Sequence, residues 1–302
     1  MQVLSPARAA AAGSAETSLD EVLTAMHGLP PSSSPGPDGI PYAYWRINDG
    51  AWAPLLARLF TAIGTCGEVP PSFTLGSIPP LPIPGAADTR QPAAYRPITL
   101  LPALYRILAR VLAARFAPVL RAALGAEQNA FLPGRRIEDS ILHTSLMHHA
   151  MCSAGLSGAA LFLDIAKAFD SVSRAFLYQV MHTLGASEGM VAWARLLLSH
   201  SLATTHANGV ESSPAEWHAS VRPGCPLSPL LYLLASLTAT TCGSCNLPSP
   251  PCSLPSGIWS AWQQLPPWSG ADATCGSAGG ALIGRIPGRK EYEPCSPPCP
   301  NT

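Results

Sequence analysis

The chain has 302 residues, 47% of them apolar and only 12% charged; that much apolar side chain excludes wholesale disorder and suffices for one large core or two ordinary ones. Its 18 basic and 18 acidic side chains cancel, which excludes the overall basic shell of a non-specific nucleic-acid coat. The 33 prolines are roughly double the ~5% norm and call for many turns, because proline removes a helical donor and clashes with the preceding turn.

No apolar run reaches the ~18 residues that cross a bilayer, and the N-terminus lacks the basic-then-apolar order of a secretory signal. Nine cysteines, an odd number without such a signal, fit reduced thiols. The expectation is an intracellular chain, nuclear or cytoplasmic, with no membrane partner.

In chain order, residues 1–36 read as a flexible Ala-, Ser- and Pro-rich lead carrying one short helix from Ser18 to His27, entered through Ser18 or Asp20. Residues 37–240 form the expected body. Its clearest helix runs from Ala103 to Leu124, where Leu104, Ile107, Leu108, Val111, Leu112, Phe116, Val119 and Leu120 recur at helical spacing. Gly125 stops it and Pro118 should kink or divide it. A helix is predicted over 137–152, a short buried strand over 159–165, and helices over 173–184 and 187–200. Asn208-Gly209 between extended segments, the second ending at Val221, is a strong hairpin signal. An apolar helix from Pro229 to Thr238 closes the body. Helices and strands without regular βαβ alternation predict an α+β fold. Residues 241–302, with 11 prolines, six cysteines and no sustained period, read as a low-order tail.

Three features carry candidate chemistry. The first is Asp164 at the end of an apolar strand (Leu161-Phe162-Leu163-Asp164). A buried carboxylate there needs a base, a helix N-terminus or a metal, and taken alone a capping role is the plainer reading. Asp170, six residues on, resembles an N-cap for the next helix. The second is a run of eight arginines (Arg90, Arg96, Arg106, Arg110, Arg115, Arg121, Arg135, Arg136) against one acid, Glu127. This is either a phosphate-binding surface or a solvated helix face. The third is Val221-Arg222-Pro223-Gly224-Cys225-Pro226-Leu227-Ser228-Pro229. Its prolines stiffen the turn, its glycine permits close approach to a ligand, and the helix that follows presents an N-terminus to an anion. Without a ligand, the same segment is a stiff connector.

Five segments in order, SPGPDGIP (34–41), YRPITLLPALYRILARVLAARFAPVL (95–120), EQNAFLPGRRIEDSI (127–141), LFLDIAKAFDSV (161–172) and RPGCPLSPLLY (222–232), resemble the reverse transcriptases of non-LTR (LINE-type) retrotransposons. The resemblance covers residues 18–238. It implies a right-hand polymerase with fingers over roughly 20–155 and a partial palm built on the Asp164 strand, acting on an RNA template, a DNA primer and dNTPs. Template-directed DNA synthesis would proceed by two-metal phosphoryl transfer with Mg²⁺. By resemblance, Asp164 is the first metal-binding aspartate and Ile165 offers its backbone carbonyl to the same ion. Phe169 is the gate against a ribose 2′-hydroxyl, Arg96 reaches the triphosphate, and Gly224 lies in the loop that approaches the nucleotide. Arg106, Arg110, Arg135 and Arg136 are the candidate nucleic-acid contacts.

Three departures stand out. Pro223 occupies the position of the family's sugar-contacting glutamine, and Gly85 that of a fingers lysine. The paired aspartates are absent: after Asp170 the sole aspartate is Asp272, in Ala271-Asp272-Ala273-Thr274, with no apolar strand before it. The thumb is absent too. The expected protein is therefore a reverse transcriptase truncated or frame-shifted after the glycine loop and catalytically incomplete, or a nucleic-acid-binding relic of one. A rival reading makes it a zinc-binding adaptor using Cys242, Cys245, Cys295 and Cys299, although the two pairs stand much farther apart than in compact zinc modules.

Overall fold

The computed structural model describes residues 3–85, 88, 90–91, 94–125, 128–156, 165, 167–199, 201–207 and 209–241. The tail with Asp272 and its cysteines, and Asp164 itself, lie outside them. In order come α1 (Pro6–Ala12), α2 (Leu19–His27), α3 (Tyr42–Ile47), α4 (Asp49–Cys66), α5 (Pro71–Thr74), β1 (Gly76–Ile78), β2 (Pro80–Pro82) and β3 (Tyr95–Pro97). Then follow α6 (Ala103–Ala123), α7 (Ile137–Ser153), α8 (Arg174–Thr183), α9 (Glu188–Leu198), β4 (Leu202–Ala207), β5 (Val210–Glu211), β6 (Ala215–Glu216) and α10 (Ser228–Thr241). Helices and strands mix, as expected of α+β.

The core is organised on α6. Tyr105, Ile107, Leu108, Leu112, Phe116 and Leu120 are fully buried, and α6 packs against α1, α2, α5 and α10. Each such side chain contributes about 1.5–3 kcal/mol by leaving water. The helix runs unbroken through Pro118, so the expected division does not occur; burial on both sides of the proline (Phe116, Ala117, Val119, Leu120) outweighs one missing hydrogen bond.

Residues 3–36 are not the flexible lead expected from composition. Leu4, Ala9, Ala12, Val22 and Met26 join the core, and the Leu4 amide donates to the Leu184 carbonyl. Small alanines let α1 approach α6 and α9 closely. Helix α2 starts with a capping box in which Ser18 accepts from the Glu21 amide and Glu21 accepts from the Ser18 amide. Helix α4 had no counterpart in the sequence reading. Ala53, Leu56, Ala57, Phe60 and Ile63 recur on one buried face, but Pro54 and Gly64 inside the run obscure the period.

Strand β1 pairs parallel with β4 (Gly76↔Ala203, Ile78↔Thr205), and β5 and β6 pair antiparallel with β4. The hairpin expected at Asn208-Gly209 is present: Ala207 pairs with Val210 and Gly209 has φ 76°. The second extended segment is split into the short β5 and β6. Strands β2 and β3 pair antiparallel, and the ladder continues through Ser77 and Leu100. Helix α7 follows the predicted span but buries none of its residues. Of the strand expected over 159–165, the structure describes only Ile165, which is exposed and outside any strand.

Arg115 on α6 ties α2 to the core through paired bonds to Glu21 (2.5 and 2.8 Å), with further bonds to the Ser14 and Glu16 carbonyls. The guanidinium beside it brings the Glu21 carboxyl down to about 2, against ~4.3 in an unfolded chain. This stabilisation is complete above about pH 4.5 and is lost as pH falls towards 2. Glu21→Gln should cost about 1–2 kcal/mol at pH 7, a value discounted for the water that reaches Glu21. Urea unfolding at pH 7 and pH 2.5 checks this: the wild-type advantage should shrink steeply at the lower pH, and an unchanged gap contradicts it.

Candidate active site

The segment Ala219–Cys225 is held from several directions. The Ser220 amide donates to the Val172 carbonyl (3.0 Å) and the Val221 amide to the Phe169 carbonyl (3.1 Å). Arg174, at the start of α8, donates to the Ser220 and Ala219 carbonyls, both at 3.1 Å. Arg222 is only 2% exposed. Its guanidinium donates to the Thr74 carbonyl at the end of α5 (2.6 Å) and the Leu202 carbonyl at the start of β4 (2.7 Å), and it faces the Tyr105 ring. Carbonyl dipoles thus satisfy a buried cation that would otherwise be costly. Tyr105 in turn donates to the Leu197 carbonyl and contacts the Cys225 sulfur; burial pushes its hydroxyl well above the usual range.

The stretch that follows β3 meets this loop. The Thr99 amide donates to the Pro223 carbonyl (3.0 Å). Gly224 has φ 102°, and a Cβ there would stand 2.3 Å from the Thr99 oxygen. Glycine is required twice over, by backbone conformation and by close approach. Arg96 lies on β3, exposed, three extended residues or about 10 Å of chain from Thr99.

Phe169 lies in the turn before α8, half-buried. Its ring stacks on Tyr232 of α10, with centroids 5.0 Å apart and planes 15° apart. Phe131 meets it at 6.3 Å in a T-shaped arrangement. The structure therefore brings Phe169 and Gly224 to one loop system, with Arg96 on the strand that leads into it. Asp170 is not the cap expected from sequence. Ser173, immediately before α8, accepts from the Phe176 amide (3.3 Å), because the residue adjoining the first turn reaches that amide directly. One buried Asp170 oxygen has no hydrogen-bond partner, and burial pushes its carboxyl up, with Lys167 opposing.

The arginine run is dispersed. Arg135 donates to the Leu124, Gly125 and Gln128 carbonyls, bracing the end of α6. Arg106 covers the Tyr42 ring at 4.6 Å, Arg110 lies over Gly28, and Arg115 is committed to Glu21. Arg136 precedes α7 and is exposed. Thr99, Arg174 and Tyr232 escaped the sequence reading of the site, and Arg222 was read only as part of the glycine loop, not as its buried anchor. A buried arginine carries no periodic signature, and Tyr232 sits in a helix whose apolar run reads as core.

The reverse transcriptase (RNA-dependent DNA polymerase) family model matches residues 85–238. The chain belongs to this family. It is 32% identical over 218 residues, 72% of its length, to the uncharacterized 149 kDa protein of transposon TX1 from Xenopus laevis. It is 30% identical over 67% of its length to the Pol polyprotein of the type-2 retrotransposable element R2DM from Drosophila melanogaster. A third relative, the Pol polyprotein of the type-1 element R2 from Popillia japonica, is 29% identical over 73% of the chain. The chain spans 16%, 18% and 31% of those proteins respectively. The reverse transcriptase segments are of the non-LTR retrotransposon type.

Reverse transcriptases use divalent metal ions such as Mg²⁺. Among the described residues no three His, Cys, Asp or Glu side chains are grouped to hold a metal ion. They do not by themselves form the oxygen cage Mg²⁺ requires. Among them, too, no helix is long and apolar enough to cross a membrane.

Gly224→Ala should lower stability by about 1–3 kcal/mol through its backbone strain alone, and by more where the Thr99 carbonyl has to move. Urea denaturation measures the loss, and wild-type stability in the variant contradicts the described packing.

Proposed function

We propose that this chain is a retrotransposon reverse transcriptase domain that binds template–primer and dNTP but does not, as the isolated 302-residue chain, synthesise DNA. The observation that carries the binding half is the stitching of three sequence-distant segments, around Thr99, Phe169 and Gly224, into one loop system. Such a junction holds the three segments in a fixed relative orientation, the condition for orienting a bound nucleotide. In this reading Arg96 meets the triphosphate, Phe169 screens the sugar 2′-position and the Gly224 loop lies along the nucleotide. Asp164 and the Ile165 carbonyl supply one side of the metal site. Arg136, Arg106 and Arg110 contact phosphates, with Arg136 the most accessible, and Arg135 holds the loop that presents it. The body takes in the packed N-terminal residues as well as 37–240, with fingers over roughly 20–155 and a partial palm built on the Asp164 segment.

The catalytic half follows from the inventory of carboxylates. Two-metal transfer needs carboxylates on both ions so that attacking and leaving oxygens are stabilised together. One of the two Asp170 oxygens is buried, and the next aspartate, Asp272, is more than a hundred residues on, without an apolar strand before it. Pro223 brings no side-chain donor to the sugar, and Gly85 no charge to the phosphates.

Template–primer affinity of the full chain should fall steeply with salt, and Arg136→Ala should reduce the log–log slope by about 1. Binding that is flat with salt contradicts the contact set. No primer extension is expected with Mg²⁺ or Mn²⁺. Extension that vanishes in Asp164→Ala overturns the catalytic half and leaves Asp272 as the missing ligand.

A further inference from the structure

Phe169 is held at both its backbone and its ring by one stretch of chain. Val221 fixes its carbonyl (3.1 Å), and eleven residues later Tyr232 stacks on its ring at 5.0 Å and 15°. Phe131, from the 127–141 segment, closes on it at 6.3 Å, nearly perpendicular. This is not ordinary core packing. Phe169 and Tyr232 are each only half-buried, and Phe131 is 53% exposed with φ 60°, a conformation costly for a bulky residue. Three aromatic rings from three segments therefore meet at the surface of the loop system, with Phe169 at the centre.

A phenylalanine used as a steric gate discriminates only if its ring stays put. A ring free to rotate about χ1 and χ2 yields to one extra hydroxyl, because the cost of moving it is a rotamer change of about 1 kcal/mol. Parallel stacking on one face removes that freedom and leaves the uncovered part of the ring for the ligand. From this geometry we infer that Tyr232 is a positioning residue for sugar selection, holding the Phe169 ring so that it meets the 2′-position of an incoming nucleotide. The inference rests on the reading of Phe169 as the gate. It adds a residue on α10, outside the loop itself, and a reason for an aromatic ring at that position. The Tyr232 hydroxyl has no part in the role, so a phenylalanine there should serve equally.

The test uses the full chain bound to a template–primer with dT as the templating base, and equilibrium titration with dATP and with ATP. The wild type should bind dATP more tightly than ATP, and Phe169→Ala should lose the preference. Tyr232→Leu should reduce the ATP-to-dATP ratio of Kd values by up to about tenfold, the scale of one aromatic pair, with template–primer affinity unchanged. Tyr232→Phe should restore the ratio. Should Tyr232→Leu fail to fold, Tyr232→Met fills similar space without a ring and should show the same loss. A wild type that does not bind dATP or does not discriminate, or a Phe169→Ala variant that still discriminates, overturns the gate and the positioning role with it. Discrimination that depends on Phe169 but survives both Tyr232→Leu and Tyr232→Met overturns the positioning role alone.

Discussion

A buried guanidinium determines where the glycine loop sits. Arg222 has withdrawn almost entirely from water and gives its donors to two main-chain carbonyls, one ending α5 and one starting β4. Helix α5 leads into β1 one residue later, so the arginine ties the loop to β4 and to the entry of its parallel partner. Removing it would take one hydrogen bond from each of these carbonyls, at about 0.5–1.5 kcal/mol apiece. Because Pro223 and Gly224 follow directly, their contacts with Thr99 depend on the same anchor. Tyr105 of α6, under the guanidinium, links the anchor to the main apolar core.

Around this anchor, the arginines divide into two kinds of work. Arg115, Arg135, Arg174 and Arg222 spend their forked donors on protein oxygens, where guanidinium geometry satisfies two or three carbonyls at once. Arg96 and Arg136 remain outward. The run that looks uniform along the sequence therefore divides evenly: Arg106, Arg110, Arg115 and Arg135 are partly buried, and Arg90, Arg96, Arg121 and Arg136 are exposed. A formally neutral chain can in this way present local positive charge without an overall basic surface.

What the sequence made legible follows from periodicity. Helix α6, with a long and regular apolar face, and the Asn208-Gly209 hairpin, with its distinctive turn chemistry, were readable to within a residue or two. Helix α4 was hidden by Pro54 and Gly64, and the packing of α1 by its alanines, which look like low complexity until a partner helix is placed against them. At the candidate site, Gly224 and Phe169 were legible through motif order, and the structure gives Gly224 an additional, purely internal reason in the Thr99 carbonyl. The reading of Asp170 as a cap failed because Ser173 stands closer to the first helical amides. The anchoring role of Arg222 and the stacking role of Tyr232 were not legible, since both depend on what lies opposite them in space and not on their neighbours in sequence.

The central claim is that the segments around Thr99, Phe169 and Gly224 form one unit that meets the nucleotide. Amide hydrogen exchange on the full chain tests it most directly, because the Thr99, Ser220 and Val221 amides are the donors that hold the unit together. Without ligand these three amides should exchange at a common, slow rate, as members of one cooperative unit do. With template–primer and a complementary dNTP they should slow further, together. Three unrelated rates in the free chain, or ligand protection that bypasses all three amides, would contradict the account.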